Sequence, residues 1–87
     1  MKIKQNELGI GQNLRRLRNT VGLTQDQVAA QLTVKGLPLD RSVYAHMERN
    51  RYSVRVAELL AFKEVFKVST FDEFFVGLTL TPPDDLD

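Results

Sequence analysis

The chain has 87 residues, 43% of them hydrophobic and 26% charged, which leaves room for one small domain with an ordinary core. It contains no cysteine, which excludes disulfides and thiolate metal sites, and no apolar run long enough to span a membrane. The first residues lack the apolar stretch of a signal peptide, so we expect a cytoplasmic protein.

The net charge is only +1, but the charges are distributed unevenly along the chain. Residues 1–55 carry ten lysines and arginines against four acidic residues, whereas residues 56–87 carry two against seven. A basic first part and an acidic second part can orient a protein on a polyanion such as a nucleic acid.

The first predicted element is an amphipathic helix within residues 8–21. Its apolar residues recur three and four positions apart, as one face of a helix requires: Ile10, Leu14, Leu17 and Val21. Gly22 is a good helix stop, because glycine adopts the left-handed conformation at little cost.

A second helix is predicted over residues 25–32 or slightly beyond. Thr24 is the expected N-cap, and Gln27, three residues later, completes a capping box. Gly36 and Pro38 exclude any long continuation of this helix.

A third helix is predicted to begin after Asp40, whose carboxylate can accept hydrogen bonds from the free backbone N–H groups of a first turn. A helical wheel separates its residues into two faces. The inward face is apolar and consists of Val43, Tyr44 and Met47. The outward face is polar or small and consists of Arg41, Ser42, Ala45, His46 and Arg49.

A fourth helix is predicted from the apolar positions Val56, Leu59, Leu60, Phe62, Val65 and Phe66. Ser69 or Thr70 is expected to cap a short fifth helix that contains Phe71, Phe74, Phe75 and Val76. Residues 81–87, with two prolines and three aspartates, are expected to be disordered. We therefore expect an N-terminal arm (1–9), a helical domain (10–76) and a C-terminal segment with an acidic tail (77–87).

Several short segments occur in the order and spacing of a known family, among them IGQNLRRLR (10–18), GLTQ (22–25), VAAQL (28–32) and RSVY (41–44). In these segments the chain resembles the lambda-repressor-like helix-turn-helix family, the Cro and xenobiotic-response-element type of bacterial and phage regulator. The resemblance implies an all-α, compact bundle of about five helices, in which the third helix enters the major groove of DNA.

The resemblance also implies roles for individual residues. The positions that usually touch base edges correspond to Arg41, Ser42 and His46, with Val43 and Ala45 available to a thymine methyl group. The positions that usually contact phosphate correspond to Gln25, Arg49, Asn50 and Arg51. A structural pair that ties the first helix to the third corresponds to Arg18 and Glu48.

Simpler alternatives exist for several of these contacts. Arg41 could be a solvated arginine paired with Asp40, Gln25 could cap its helix, and His46 could be an exposed residue with no role. The basic cluster of Lys2, Lys4, Arg15 and Arg16 could be a solvated face instead of a contact to the DNA backbone.

The chain departs from the family pattern in two ways. The segment from Thr33 to Leu39 is several residues longer than the usual turn between the second and third helices. Asn50 and Lys67 stand where glycine is usual, and asparagine tolerates the left-handed region better than most residues.

Together these features predict sequence-specific binding of double-stranded DNA by a transcriptional repressor or regulator, which acts as a homodimer on a pseudo-palindromic operator. The alternative is a protein-interaction module, such as the antitoxin of a toxin–antitoxin pair, with a partner protein on the apolar segment 71–80. We expect no enzymatic activity, no cofactor and no metal, because His46 is the only histidine and no phosphate loop or positioned base is present.

Overall fold

The computed structural model describes residues 9–79 and contains four α-helices followed by a short 3-10 helix. These are α1 (Gly11–Thr20), α2 (Gln25–Val34), α3 (Arg41–Glu48), α4 (Val56–Val65) and the 3-10 helix (Phe71–Phe75). No strand occurs within residues 9–79, and the prediction of an all-α domain with about five helical elements is confirmed.

The predicted helical domain, 10–76, lies wholly within the described residues. The predicted arm, 1–9, falls outside them except for Gly9, and so do Lys2 and Lys4. The predicted acidic tail, 81–87, also lies outside the described residues.

One hydrophobic core lies where the helices meet. It is built from pairs of side chains contributed by each helix in turn: Leu14 and Leu17, Val28 and Leu32, Tyr44 and Met47, Phe62 and Val65. The Tyr44 and Phe62 rings meet edge to face with their centroids 5.7 Å apart, an arrangement that adds about 0.5–1.5 kcal/mol to the burial of their area. The predicted apolar faces of the first and third helices are confirmed as the sides that pack in the core.

The starts of α2 and α3 follow the predicted capping pattern. Thr24 Oγ1 accepts a hydrogen bond from the Gln27 N–H at 3.1 Å, and Gln27 Oε1 accepts one from the Thr24 N–H at 2.8 Å. Asp40 Oδ1 accepts a hydrogen bond from the Val43 N–H at 2.9 Å. Both predicted caps are therefore confirmed.

All four helices end in the same hydrogen-bond motif. The residue after each C-cap has a positive φ, and the next N–H donates to the carbonyl five positions earlier, as Arg51 does to His46 at 2.8 Å. The positive-φ residues are Gly22, Gly36, Asn50 and Lys67. Gly22 ends α1 as predicted, and Asn50 occupies the left-handed region.

The second helix continues to Val34, slightly beyond Leu32 as predicted, and this shortens the connection between α2 and α3. The remaining residues, 35–40, are held at two points. Leu39 is buried in the core, and Lys35 Nζ donates a hydrogen bond to Glu64 Oε1 on α4 at 2.6 Å. These contacts fix where α3 begins.

The fourth helix buries a narrower face than predicted. Phe62 is fully buried, but Val56 is 76% and Leu60 53% exposed. Glu58 is buried instead, because its Oε1 accepts a hydrogen bond from the Arg55 N–H at 2.8 Å and closes the first turn. The outer face of α4 therefore carries two exposed apolar side chains, next to the exposed Glu64.

The predicted fifth helix is a 3-10 helix of five residues. Phe74 is buried in the core, whereas Phe71 and Phe75 are partly exposed. The predicted side-chain cap is wrong: Thr70 occupies the N-cap position, but its hydroxyl makes no capping hydrogen bond. The Glu73 N–H donates to the Thr70 carbonyl at 3.4 Å instead, so the backbone closes this turn.

Candidate nucleic-acid interface

The outer face of α3 carries most of the residues that the sequence predicts to read DNA. Arg41 and Ser42 are exposed, Ala45 and His46 are half-buried, and Arg49 is exposed at the C-cap. The opposite face is buried and consists of Tyr44, Met47 and Glu48. The structure thus brings the predicted readers together on one side of the helix.

A groove runs between this face of α3, the start of α2 and the side of α1. Four arginines line it against two carboxylates, and the full lining consists of Arg15, Arg18, Leu23, Thr24, Gln25, Asp26, Arg41, Ala45, Glu48 and Arg49. The groove is therefore positively charged on balance, which suits a phosphate backbone.

The floor of the groove is an ion pair between Arg18 and Glu48. Arg18 Nε donates to Glu48 Oε2 at 2.6 Å, and a second guanidinium nitrogen donates to Oε1 at 3.1 Å. The side chains are only 13% and 4% exposed, respectively. This two-point contact joins α1 to α3, as the family resemblance implies for these two residues.

Burial alone would raise the pKa of the Glu48 carboxyl, but the hydrogen bonds from Arg18 and Gln25 outweigh burial and hold that pKa below its ordinary value. Glu48 is therefore an anion at neutral pH. Burial also raises the pKa of Tyr44, whose hydroxyl lies near the same carboxylate. That hydroxyl finds no partner with hydrogen-bonding geometry among residues 9–79.

The Gln25 side chain is partly engaged within the protein. Its Nε2 donates one hydrogen bond to Glu48 Oε1 at 3.0 Å. An amide nitrogen carries two N–H donors, so the second N–H remains for a phosphate, whereas the amide oxygen can only accept. The backbone N–H groups at the start of α2 are further donors that a phosphate could use there.

Asn50 also has an internal role, which uses its amide oxygen and leaves its Nδ2 donors for the predicted phosphate contact. Its Oδ1 accepts a hydrogen bond from the Gly11 N–H at 2.8 Å, which joins the end of α3 to the start of α1. The N-cap residue of α1, Ile10, makes no side-chain capping bond of its own. A Cβ on Gly11 would come within 2.4 Å of the Glu48 carbonyl oxygen, so only glycine fits this approach.

The remaining phosphate candidates, Arg49 and Arg51, are exposed. Within the described part of the chain neither side chain forms an ion pair. Arg15 is also exposed and lines the groove. Arg16 points elsewhere, because its guanidinium donates to the Glu73 carbonyl at 2.8 Å.

Val43 and Arg41 are both predicted to contact bases, but their side chains differ in how accessible they are to DNA. Val43 is half-buried and packs against the core, so the structure offers less of it to DNA than the sequence predicts. Arg41 lies with its Nε 3.7 Å from Asp26 Oδ1, and both side chains are largely exposed. An exposed pair of this kind contributes about 0–1 kcal/mol, so Arg41 can leave it for a base.

His46 has a neighbour that sequence reasoning missed. Its ring stacks on the ring of Tyr52, with centroids 5.5 Å apart and planes inclined by 21°. The signal that could have identified Tyr52 is an aromatic residue placed just after the left-handed residue that ends α3.

No helix within residues 9–79 is long and apolar enough to cross a membrane. The same residues contain no group of three or more acidic or histidine side chains placed to hold a metal ion.

Comparison with family models gives a match to a helix-turn-helix domain over residues 10–73, which includes all four α-helices. No curated protein and no solved structure gives a significant match. Because the matched region covers most of the chain and the described helices have the expected order, this protein belongs to the helix-turn-helix domain family.

Proposed function

We propose that this protein binds double-stranded DNA sequence-specifically through the outer face of α3 and represses transcription by occupying an operator. Its helix-turn-helix domain indicates DNA binding and regulation. The observation that carries the proposal is the arrangement of Arg41, Ser42 and His46 on one accessible face beside a groove with excess positive charge. Residues 10–76 would form the DNA-binding unit.

In the proposed complex, contacts to phosphate set the position of the domain and contacts to bases supply the specificity. Arg15, Arg49 and Arg51 neutralise phosphates. Arg41 releases Asp26 and donates two parallel hydrogen bonds to O6 and N7 of a guanine, a contact worth about 1–3 kcal/mol of discrimination. Ser42 lies next to it and can bond to several bases.

The proposal includes a homodimer that binds a pseudo-palindrome with half-sites about one helical turn apart. Support comes from Val56 and Leu60, which are exposed on the outer face of α4, and from Phe75 and Val76 at the end of the 3-10 helix. A second copy could cover such residues on both subunits at once, as a two-fold interface requires.

The second candidate function is that of a protein-interaction module, such as an antitoxin. The observation that favours it is the same exposed apolar set, because a partner protein could cover it equally well. The state of the purified protein separates the two: a dimer at micromolar concentration favours self-association, and a monomer favours a different partner.

Selection of bound sequences from random duplex DNA tests the main proposal. We expect one enriched motif with two-fold symmetry. If Arg15, Arg49 and Arg51 of each subunit neutralise three phosphates, the logarithm of affinity should fall with the logarithm of salt concentration with a slope of about −5 for a dimer. A library that shows no enrichment at low salt would favour the protein-interaction module.

A further inference from the structure

The two nitrogens of the His46 ring lie in different environments. Nδ1 is buried and has no hydrogen-bond partner among the described residues. The side chain as a whole is only half-buried, and Nε2 is not among the buried atoms that lack a partner. The part of the ring that a ligand can reach is therefore the Nε2 edge.

The buried nitrogen determines which nitrogen of the neutral ring carries the proton. A proton on Nδ1 would create a buried N–H group without an acceptor. In folded proteins, buried N–H groups without a partner are rarer than buried acceptors without a donor. The neutral ring should therefore be protonated on Nε2. In that form the accessible edge is a hydrogen-bond donor and cannot accept.

Tyr52 holds the ring in this orientation. The Arg51 N–H donates to the His46 carbonyl at 2.8 Å, and the left-handed Asn50 reverses the chain between them. This turn places Tyr52 against the imidazole, with a nearly parallel stack at 5.5 Å. Tyr52 is 50% exposed, so burial of its own ring explains only in part why it lies against His46.

Taken with the proposed DNA binding, on which this inference rests, the geometry points to Tyr52 as a positioning residue for base readout. It orients His46 so that Nε2–H donates to an acceptor on a base edge in the major groove: purine N7, guanine O6 or thymine O4. The exocyclic amino groups of adenine and cytosine would be rejected, because they are donors.

The experiment has one part without DNA and one part with it. Nitrogen-15 NMR of the free protein reports the protonated nitrogen of its single histidine. Selection from a randomised duplex library is then carried out with the wild type, His46→Ala, Tyr52→Phe and Tyr52→Leu. Ser53→Ala, a change at the neighbouring exposed residue, serves as the matched control.

We expect an Nε2-protonated ring in the wild type. His46→Ala and Tyr52→Leu should lose preference at the same single base pair by about two- to tenfold, the effect of one hydrogen bond. Tyr52→Phe keeps the ring and should keep the preference. A merely structural role for Tyr52 would lower the melting temperature and weaken all duplexes alike, with the preference unchanged.

That structural outcome for Tyr52→Leu would overturn the inference, and so would four other results. An Nδ1-protonated ring does so whatever the DNA result. A uniform loss of affinity in His46→Ala would mean a phosphate contact instead of a base contact. Loss of the preference in Tyr52→Phe would assign the effect to the hydroxyl instead of the ring. An Nε2-protonated ring with no enriched sequence in any variant would overturn the proposed function and the base contact together.

Discussion

At the scale of single residues, Asn50 and Lys67 adopt the same backbone conformation in different surroundings. Their φ angles are 60° and 58°, and each follows the C-cap of its helix. The Asn50 side chain accepts a hydrogen bond from Gly11, whereas Lys67 is exposed. The same substitution should therefore have opposite effects at the two positions.

Lys67→Gly removes the steric cost of a left-handed lysine and should stabilise the fold by about 1 kcal/mol. Asn50→Gly removes the acceptor of the Gly11 N–H and should destabilise it by about 1–2 kcal/mol. Urea unfolding of both variants measures the difference. Stabilisation by Asn50→Gly would show that the bond to Gly11 contributes little.

Arg41 is the residue whose loss should affect specificity most. Arg41→Ala should remove preference for the selected operator while leaving salt-sensitive nonspecific binding, because the phosphate contacts remain. Lys67→Gly also removes one positive charge, but from the far end of α4, and is the matched control. Retained operator preference in Arg41→Ala would show that a different face of α3 reads the bases.

At the scale of secondary-structure elements, Glu48 connects three helices through Arg18 on α1 and Gln25 on α2. Removal of its carboxylate leaves a largely buried arginine without its partner. Glu48→Ala should therefore cost about 3–5 kcal/mol, since the pair is nearly enclosed. Thermal unfolding measures this cost. A melting temperature equal to that of the wild type would exclude the structural role of the pair.

The lowered pKa of Glu48 also predicts a pH dependence. The carboxyl binds protons more weakly in the folded state than in the unfolded state. Its contribution is therefore complete above the ordinary glutamate pKa of about 4.5 and is lost as pH falls through the lower folded value. Glu48→Gln should flatten the acid limb of the stability curve. Glu64→Gln should flatten it much less, because Lys35 also lowers the pKa of the Glu64 carboxyl but solvent screens this exposed pair. The two curves are measured by urea unfolding between pH 2 and pH 7, a range chosen around that value.

The sequence predicted those elements whose signals are local. The Thr24 and Asp40 caps act within three residues, and the stripe on α1 repeats within one helix. The contact between Asn50 and Gly11 spans 39 residues, and the contact between Gln25 and Glu48 spans 23. Short-range patterns contain no information about such pairs.

The buried face of α4 was predicted too wide for a related reason. Apolar residues occur on several sides of α4 itself, so the periodicity of its sequence does not identify the side that packs against the core. At the candidate site, the resemblance identified the residues of α3, but it could not show that Gln25 and Asn50 are already engaged within the protein. Both contacts join residues that are far apart in the sequence, so they form only when the chain folds.

At the scale of the whole molecule, the exposed face of α4 should determine the oligomeric state. Leu60→Ser removes a side chain that is 53% exposed, so the fold should survive while the proposed dimer weakens. Val34→Ser changes a side chain that is 86% exposed on α2 and is the matched control. Analytical ultracentrifugation measures the dimer dissociation constant, and equal constants for both variants would place the interface elsewhere.

The two ends of the described chain meet on one side of the molecule. Asn13 Nδ2 donates to the carbonyls of Phe74 and Val76 at 2.9 and 3.0 Å, and Gly9 and Leu78 line the same cavity. Because residues 9 and 78 lie close together, a chain limited to residues 9–78 is suited to circular permutation. Such a chain, with residue 78 joined to residue 9 by a short linker and opened within residues 35–40, should fold, and it would measure how far the orientation of α3 depends on its covalent link to α2.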